Sequence, residues 1–265
     1  MLRRAPAGAR AGRRRGTRRR AGRVLARSLD AGGGSGFKPA RVVNPVLERL
    51  YRENAVVHRD GKRRQLCPPG IPAFKGEYLF QLVRDRRPNV TLEIGFAYGL
   101  STLFIAEALR QNGRGRHVVI DPNEHRRFDG LGLRHLEEAG LAEIVTFLEE
   151  PAELCLPRLA EQNLRVDLAF NDSDHLFDHV VTEFVLLGFL LPKGALLVFD
   201  DASLPGVGRA CDFIAANRPD FAEVRPVHAR LPPGAGGGPA RLEGLHTLLT
   251  RRPGHPAGGS AGTGG

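Results

Sequence analysis

Residues 92–102, LEIGFAYGLST, join the end of an apolar run to a glycine-rich turn and the start of a helix. The apolar run, residues 90–94, predicts a short strand, and an amphipathic pattern predicts a helix over residues 102–111 with Ser101 as its N-cap. Gly95 and Gly99 let the backbone turn sharply and let a ligand approach it closely. This order of elements is typical of the first crossover of a nucleotide-binding sheet.

The turn differs from the two common phosphate-binding motifs. The dinucleotide fingerprint G-x-G-x-x-G, begun at Gly95, requires glycine where this chain has Ala97 and Leu100. A P-loop requires the sequence G-K-[ST], which the turn lacks. The glycines alone therefore do not identify the ligand.

Two acidic residues indicate the ligand's charge and sugar. Glu93 ends the predicted strand two positions before Gly95, so a pyrophosphate seated on the turn would be repelled by a carboxylate at short range. S-adenosylmethionine carries a sulfonium and an ammonium, and an acidic turn favours it over NAD. Asp121 lies 22 residues beyond Gly99, at the tip of the next predicted strand, where it can accept hydrogen bonds from both ribose hydroxyls.

Strand and helix patterns alternate along the chain. Further strands are predicted at residues 117–120, 144–148, 166–170 and 195–199, with a closing pair at 222–228 and 244–250. Helices are predicted at residues 44–59, 73–86, 131–138, 154–162, 175–191 and 207–217. Strands separated by such helices imply right-handed crossovers and an α/β, doubly wound, mostly parallel sheet.

The net charge of +10 is concentrated in one segment. Eleven of the 39 basic residues lie in residues 1–27, which contain no acid, leaving 28 basic against 29 acidic side chains in the rest of the chain. The predicted domain is therefore close to neutral, and nucleic-acid binding is not indicated for it.

Composition divides the chain into three parts. Residues 1–36 and 253–265 predict disordered tails, and residues 37–252 predict one folded domain with a long loop at 232–239. Three interpretations of the arginine-rich tail stay open: an RNA-contacting arm, an organelle-targeting peptide and an over-extended gene start.

The three cysteines, Cys67, Cys155 and Cys211, are far apart and form no C-x-x-C pair, which argues against a disulfide framework or a zinc site. We therefore expect a cytoplasmic protein. The longest apolar stretch, residues 184–191, is too short to span a bilayer, so no membrane partner is expected. The sequence carries no readable signal for oligomeric state.

Four segments resemble class I S-adenosylmethionine-dependent methyltransferases. They are LEIGFAYGLSTLFIAEAL (92–109), VVIDPNE (118–124), VDLAFNDSDHLFDHVV (166–181) and LLPKGALLVFDDAS (190–203). Over residues 66–217 the chain is similar to small-molecule O-methyltransferases of the catechol O-methyltransferase-like and methyltransferase 24 groups. The resemblance implies a Rossmann-like sheet of about seven strands, mostly parallel with a final antiparallel strand.

The resemblance also implies roles for individual residues. The turn would flank the methionine part of S-adenosylmethionine, Asp121 would hold the ribose, and residues 150–152 would lie beside the adenine. Residues 75–78 resemble a segment that covers the cofactor. The implied cofactor-binding residues are Glu93, Gly95, Ala97, Gly99, Ser101, Asp121, Glu150, Ala152 and Asp172.

Three carboxylates follow the ends of two predicted strands. Asp172 follows one strand, and Asp200 and Asp201 follow the next, so all three are expected at one edge of the sheet. Such carboxylates repel one another unless a cation or protons intervene, and oxygen ligands favour Mg²⁺ or Ca²⁺. Catechol-type enzymes have Asn where this chain has Asp201, which leaves both a divalent ion and a metal-free site open.

His175 is predicted at a helix start on the cleft side. Methyl transfer from a sulfonium needs an in-line nucleophile, and a hydroxyl acceptor must lose its proton, which a histidine can take. A similar D-x-D-H stretch in related sequences supports His175 as a general base or a metal-adjacent group. We predict His175 and Asp172 as the catalytic residues.

The sequence thus predicts an S-adenosylmethionine-dependent methyltransferase acting on a hydroxyl of a small molecule. Three alternatives stay open: an RNA or protein methyltransferase that uses the basic arm, a non-catalytic cofactor-binding subunit and an NAD-binding oxidoreductase.

Overall fold

The structure, a computed structural model, describes residues 44–68, 70–224 and 244–250. The predicted tails, the predicted loop at 232–239 and most of the strand predicted at 222–228 lie outside these residues. Within the described part, no helix is both long and apolar enough to cross a membrane.

The described residues contain nine strands and eight α-helices. The strands are β1 (Ala55–Val57), β2 (Arg63–Gln65), β3 (Val90–Ile94), β4 (Arg116–Ile120), β5 (Val145–Leu148), β6 (Leu168–Asn171), β7 (Leu196–Phe199), β8 (Phe221–Glu223) and β9 (His246–Thr250). The helices are α1 (Pro45–Glu53), α2 (Ala73–Arg86), α3 (Leu100–Asn112), α4 (Glu124–Arg127), α5 (Leu131–Glu138), α6 (Ala152–Glu161), α7 (Phe177–Leu187) and α8 (Pro205–Asn217).

Seven of the strands form one sheet in the order β5-β4-β3-β6-β7-β9-β8. Strands β3 to β7 are parallel to their neighbours in this group, whereas β9 is antiparallel to both β7 and β8. The predicted α/β, Rossmann-like, doubly wound sheet is confirmed. Because the strand order reverses between β3 and β6, a crevice opens at their carboxyl ends.

Helices cover both faces of the sheet, so its central strands are apolar on both sides. In β7, Leu196 and Val198 join the core under α2 and α3, while Leu197 and Phe199 join the core under α7 and α8. All four side chains of β7 are buried. The two cores therefore hold the strand ends, and the polar residues that follow them, in fixed positions.

The turn after β3 requires glycine at Gly95. This residue has φ +93°, and a Cβ placed on it would lie 2.0 Å from the backbone oxygen of Asp172. The Gly95 amide donates to the backbone oxygen of Ile120 at 2.9 Å. The turn is thus pressed against the loop between β6 and α7.

Three predicted helix boundaries are wrong. The first helix ends at Glu53 because Asn54 adopts a left-handed conformation, and a β1–β2 hairpin of β-branched and basic residues follows. Helix α3 has Gly99 as its N-cap, so Ser101 lies inside the helix. Helix α7 begins at Phe177, which leaves His175, with φ +63°, in the preceding loop.

We predict that Gly95→Ala lowers the free energy of unfolding by about 2–4 kcal/mol, because it adds left-handed strain and a clash with the Asp172 backbone. Gly140→Ala is the matched control: Gly140 has φ +65° with no atom within 4 Å of its Cβ position. That variant should lose only about 1–2 kcal/mol. Urea denaturation measures both, and equal losses would contradict the proposed contact.

Candidate active site

A cavity of about 590 Å³ opens at the carboxyl ends of β3, β4 and β6. The predicted site residues that line it are Gly95, Ala97, Ser101, Asp121, Ala152, Asp172 and His175. A smaller cavity of about 380 Å³, lined by Asn89 and Asp167 among others, contains none of the predicted site residues. The first cavity is therefore the candidate active site.

Five predicted site residues do not line this cavity. They are Glu93, Gly99, Glu150, Asp200 and Asp201. Gly99 caps α3 with φ +78° and shapes the turn from behind. The other four are held by hydrogen bonds or ion pairs that sequence spacing did not indicate.

Glu93 lies behind the turn and is fully buried. Its carboxylate accepts hydrogen bonds from the hydroxyls of Ser101 and Thr102, the latter at 2.7 Å, and lies 2.8 Å from His117 Nε2. These partners contact both of its oxygens and Glu93 does not line the cavity, so its contact with the ligand stays a prediction. Through these contacts Glu93, in β3, connects the first turn of α3 to β4.

His117 is the member of this network that the sequence analysis missed. It is fully buried, and its Nδ1 lies 2.8 Å from the hydroxyl oxygen of Thr91. The available signal was a histidine in a strand whose following residues, Val118 to Ile120, are apolar. Both ring nitrogens are therefore used to hold the glycine turn.

Carboxylates other than Glu93 make the cavity acidic. Five line it, and Arg127 is the one arginine or lysine among the described lining residues. The five are Asp121, Glu153, Asp172, Asp174 and Glu183. Burial raises the pKa of Glu183 to about 7, although hydrogen bonds from Asn171 and Ser173 lower it. The remaining acids still outnumber Arg127, so the cavity favours a cationic ligand.

Asp121 connects β4 to the glycine turn. Its Oδ2 accepts hydrogen bonds from the backbone amides of Phe96 at 2.9 Å and Ala97 at 3.2 Å, and its Oδ1 accepts one from Asn123 at 2.7 Å. The side chain also lines the cavity. Its predicted place beside the turn is therefore observed.

The segment after β5 meets the cavity with different residues from those predicted. Pro151, Ala152 and Glu153 line the cavity, whereas Glu150 forms an ion pair with Arg158 at 2.6 Å. Glu150 precedes α6, and its side chain reaches along the outside of that helix. Glu150 itself does not line the cavity, so its contact with the ligand stays a prediction.

Lys75 forms ion pairs with two of the carboxylates at the acidic edge of the sheet. Its ammonium donates to Asp200 Oδ1 and, at 2.9 Å, to Asp201 Oδ1. Burial lowers the pKa of Lys75, but the hydrogen bonds and charges of Asp200 and Asp201 raise it by more. Lys75 belongs to residues 75–78, which resemble a segment that covers the cofactor, and residue spacing did not indicate this contact. Asp200 is therefore paired with a cation of the protein itself.

Asp172, His175 and Asp201 form a separate cluster. His175 Nε2 lies 3.3 Å from Asp172 Oδ1 and 3.4 Å from Asp201 Oδ2, and one donor atom from each residue lies within 4.8 Å of the others. Two carboxylates and an imidazole are a donor set that divalent cations accept. Of the predicted metal set of Asp172, Asp200 and Asp201, the first and last lie beside His175, whereas Asp200 pairs with Lys75. The metal set stays a prediction.

The pKa values of Asp172 and His175 are both raised in this cluster. Burial raises the pKa of Asp172 to about 7, the hydrogen bond from His175 lowers it, and the charges of Asp200 and Asp201 raise it. The same hydrogen bond raises the pKa of His175, and burial lowers it. The pair is thus suited to accept and release a proton near neutral pH.

Curated O-methyltransferases match part of this sequence. Rhamnosyl O-methyltransferase of Mycobacterium tuberculosis is 30% identical over 133 residues, which cover 48% of this chain and 51% of that protein. Catechol O-methyltransferase of Bos taurus is 26% identical over 145 residues, covering 54% and 52%. The chain thus spans about half the length of these curated relatives.

Solved structures match more of the chain. The O-methyltransferase TomG of Streptomyces achromogenes, in complex with S-adenosylmethionine, has a TM-score of 0.58 at 24% identity, covering 78% of this chain and 90% of that one. A putative O-methyltransferase of Klebsiella pneumoniae has a TM-score of 0.58 at 21% identity, covering 81% and 92%. These structures share the fold.

A family model described as a methyltransferase domain matches residues 92–202, which run from β3 through the two strands that carry the acidic edge. The match includes the glycine turn, Asp121, Asp172 and His175. The resemblance predicted from the sequence is confirmed over residues 92–202, which match this family's model.

Proposed function

We propose that the protein is an S-adenosylmethionine-dependent methyltransferase that acts on a hydroxyl of a small molecule. The observation that carries this proposal is the acidic cavity built around the glycine turn. A sulfonium and an ammonium gain from its carboxylates, whereas a pyrophosphate would be repelled by them. We propose that the protein functions in the cytoplasm, because its three cysteines are far apart and form no C-x-x-C pair.

We assign each part of this cofactor to residues that line the cavity. The methionine part would lie against residues 95–97 and Ser101, and the ribose hydroxyls would donate to Asp121. Pro151 to Glu153 would lie beside the adenine. Structural relatives from Streptomyces achromogenes and Bacillus cereus hold S-adenosylmethionine and its product S-adenosylhomocysteine, which supports this arrangement.

His175 is the proposed general base. As the acceptor oxygen attacks the methyl carbon, the carbon–sulfur bond breaks and its electron pair stays on sulfur. The hydroxyl proton passes to the free nitrogen of the His175 imidazole, while Nε2 donates to Asp172 across 3.3 Å and that carboxylate stabilises the resulting imidazolium. The protein contributes mainly alignment of the two reacting groups and removal of this proton.

Asp172, His175 and Asp201 are also the residues that would hold a divalent cation such as Mg²⁺. When bound, such an ion supplies positive charge that lowers the pKa of an acceptor hydroxyl. The acceptor is proposed as a small molecule because the relatives' names refer to rhamnosyl, caffeoyl-CoA and catechol compounds.

Calorimetric titration tests the cofactor. We predict that the protein binds S-adenosylhomocysteine and does not bind NADH. Asp121→Asn should weaken S-adenosylhomocysteine binding by about tenfold or more, because a charged hydrogen-bond acceptor is lost. Glu143→Gln is the matched control and should leave binding unchanged, since Glu143 is exposed and does not line the cavity. Tight binding of NADH with none of S-adenosylhomocysteine would refute the proposal.

Transfer of a labelled methyl group to small-molecule acceptors tests the base. His175→Ala should lower turnover by about 10²–10⁴-fold, the usual contribution of a general base, while S-adenosylhomocysteine affinity stays within about threefold. His125→Ala is the control, because His125 is an exposed partner of Glu149. Unchanged turnover in His175→Ala would remove the catalytic role of His175 without affecting the fold.

A further inference from the structure

Lys75 is a buried cation placed at the acidic edge of the sheet by helix packing. Its side chain is 7% exposed and that of Asp200 is 2% exposed. Gly76 allows α2 to approach α3 closely, since a Cβ there would lie 2.1 Å from the ring of Phe104. The stem of Lys75 is thereby directed to the strand ends rather than to solvent.

The two oxygens of Asp201 face different partners. Oδ1 accepts from Lys75 at 2.9 Å, and Oδ2 lies 3.4 Å from His175 Nε2. Asp200 Oδ1 accepts from both the Lys75 ammonium and the backbone amide of Asp201, the latter at 2.6 Å. Asp200 is thus satisfied by the protein, whereas Asp201 is shared between Lys75 and the cluster with Asp172.

We propose that Lys75 is a built-in cation that withdraws Asp200 from the metal set and lowers the affinity of the Asp172–His175–Asp201 cluster for a divalent ion. The ammonium neutralises one carboxylate and part of a second. It also repels a second positive charge placed on the other oxygen of Asp201, in surroundings less polarisable than water. Removal of this ammonium would leave Asp200 as an additional anionic donor.

This inference rests on the proposed function only in locating the metal cluster in the cofactor cleft. The experiment therefore uses Mn²⁺ alone, measured by calorimetry or by loss of the free-ion electron paramagnetic resonance signal. Lys75→Met should bind Mn²⁺ about tenfold or more tightly than the wild type. Lys75→Arg, which keeps the charge, should stay within about threefold of the wild type.

Lys193→Met is the matched control, because it removes one positive charge from an exposed residue. Its Mn²⁺ affinity should equal that of the wild type. A second readout is thermal unfolding: Mn²⁺ should raise the melting temperature of Lys75→Met more than that of the wild type, because the ion binds the folded state. If Lys75→Met does not fold, Lys75→Gln, which lacks the charge but retains a donor for Asp200, replaces it.

Mn²⁺ binding to Lys75→Met that is no tighter than to the wild type, or absent from both, would overturn the proposal. Measurable binding in the variant alone would support it. Titration of the same samples with S-adenosylhomocysteine reports separately on the proposed function. If the wild type does not bind S-adenosylhomocysteine but Mn²⁺ binds Lys75→Met more tightly than the wild type, the methyltransferase assignment is refuted and the role of Lys75 stands.

Discussion

The cleft depends on the close approach of two backbone segments, the turn at Gly95 and the loop that begins at Asp172. A Cβ on Gly95 would lie 2.0 Å from the Asp172 oxygen, so no other residue fits there without movement of one segment. Asp121 joins the turn from the opposite side through the amides of Phe96 and Ala97. Because β3 pairs with both β4 and β6 in a parallel sheet, these contacts bring the glycine turn, Asp121 and Asp172 to one edge.

Acidic residues near the turn perform two different tasks. Glu93 is buried beneath the turn, where hydroxyl groups and His117 satisfy its oxygens, so it stabilises the start of α3. Asp121, Glu153 and Asp174 line the cavity and give it the charge that favours a cationic ligand. The preference for a cationic ligand that was inferred from Glu93 therefore applies to the cleft, although the carboxylates of other residues produce it.

Long-range pairing decides which acids remain available for chemistry. Lys75 lies 125 residues before Asp200 in the sequence, yet its ammonium neutralises that carboxylate inside the protein. His175 occupies the vacated position in the cluster because its left-handed backbone turns the imidazole toward Asp172 and Asp201. A proton acceptor and a candidate cation site thus coincide in the same three side chains.

The sequence by itself determined the strands β3 to β7 of the large sheet and the helices between most of them, because hydrophobic periodicity and glycine placement are local properties of the chain. The β1–β2 hairpin and α4 were not predicted. The predicted bounds of β3, α2 and α5 match the structure, as does the alternation that forms the doubly wound sheet. The sequence also determined the glycine turn and Asp121 at the end of β4. Only the tertiary structure decided that His117 contacts Glu93, that Lys75 pairs with Asp200 and that His175 lies in a loop. Those outcomes depend on side-chain directions and on contacts between distant segments, which residue spacing does not encode.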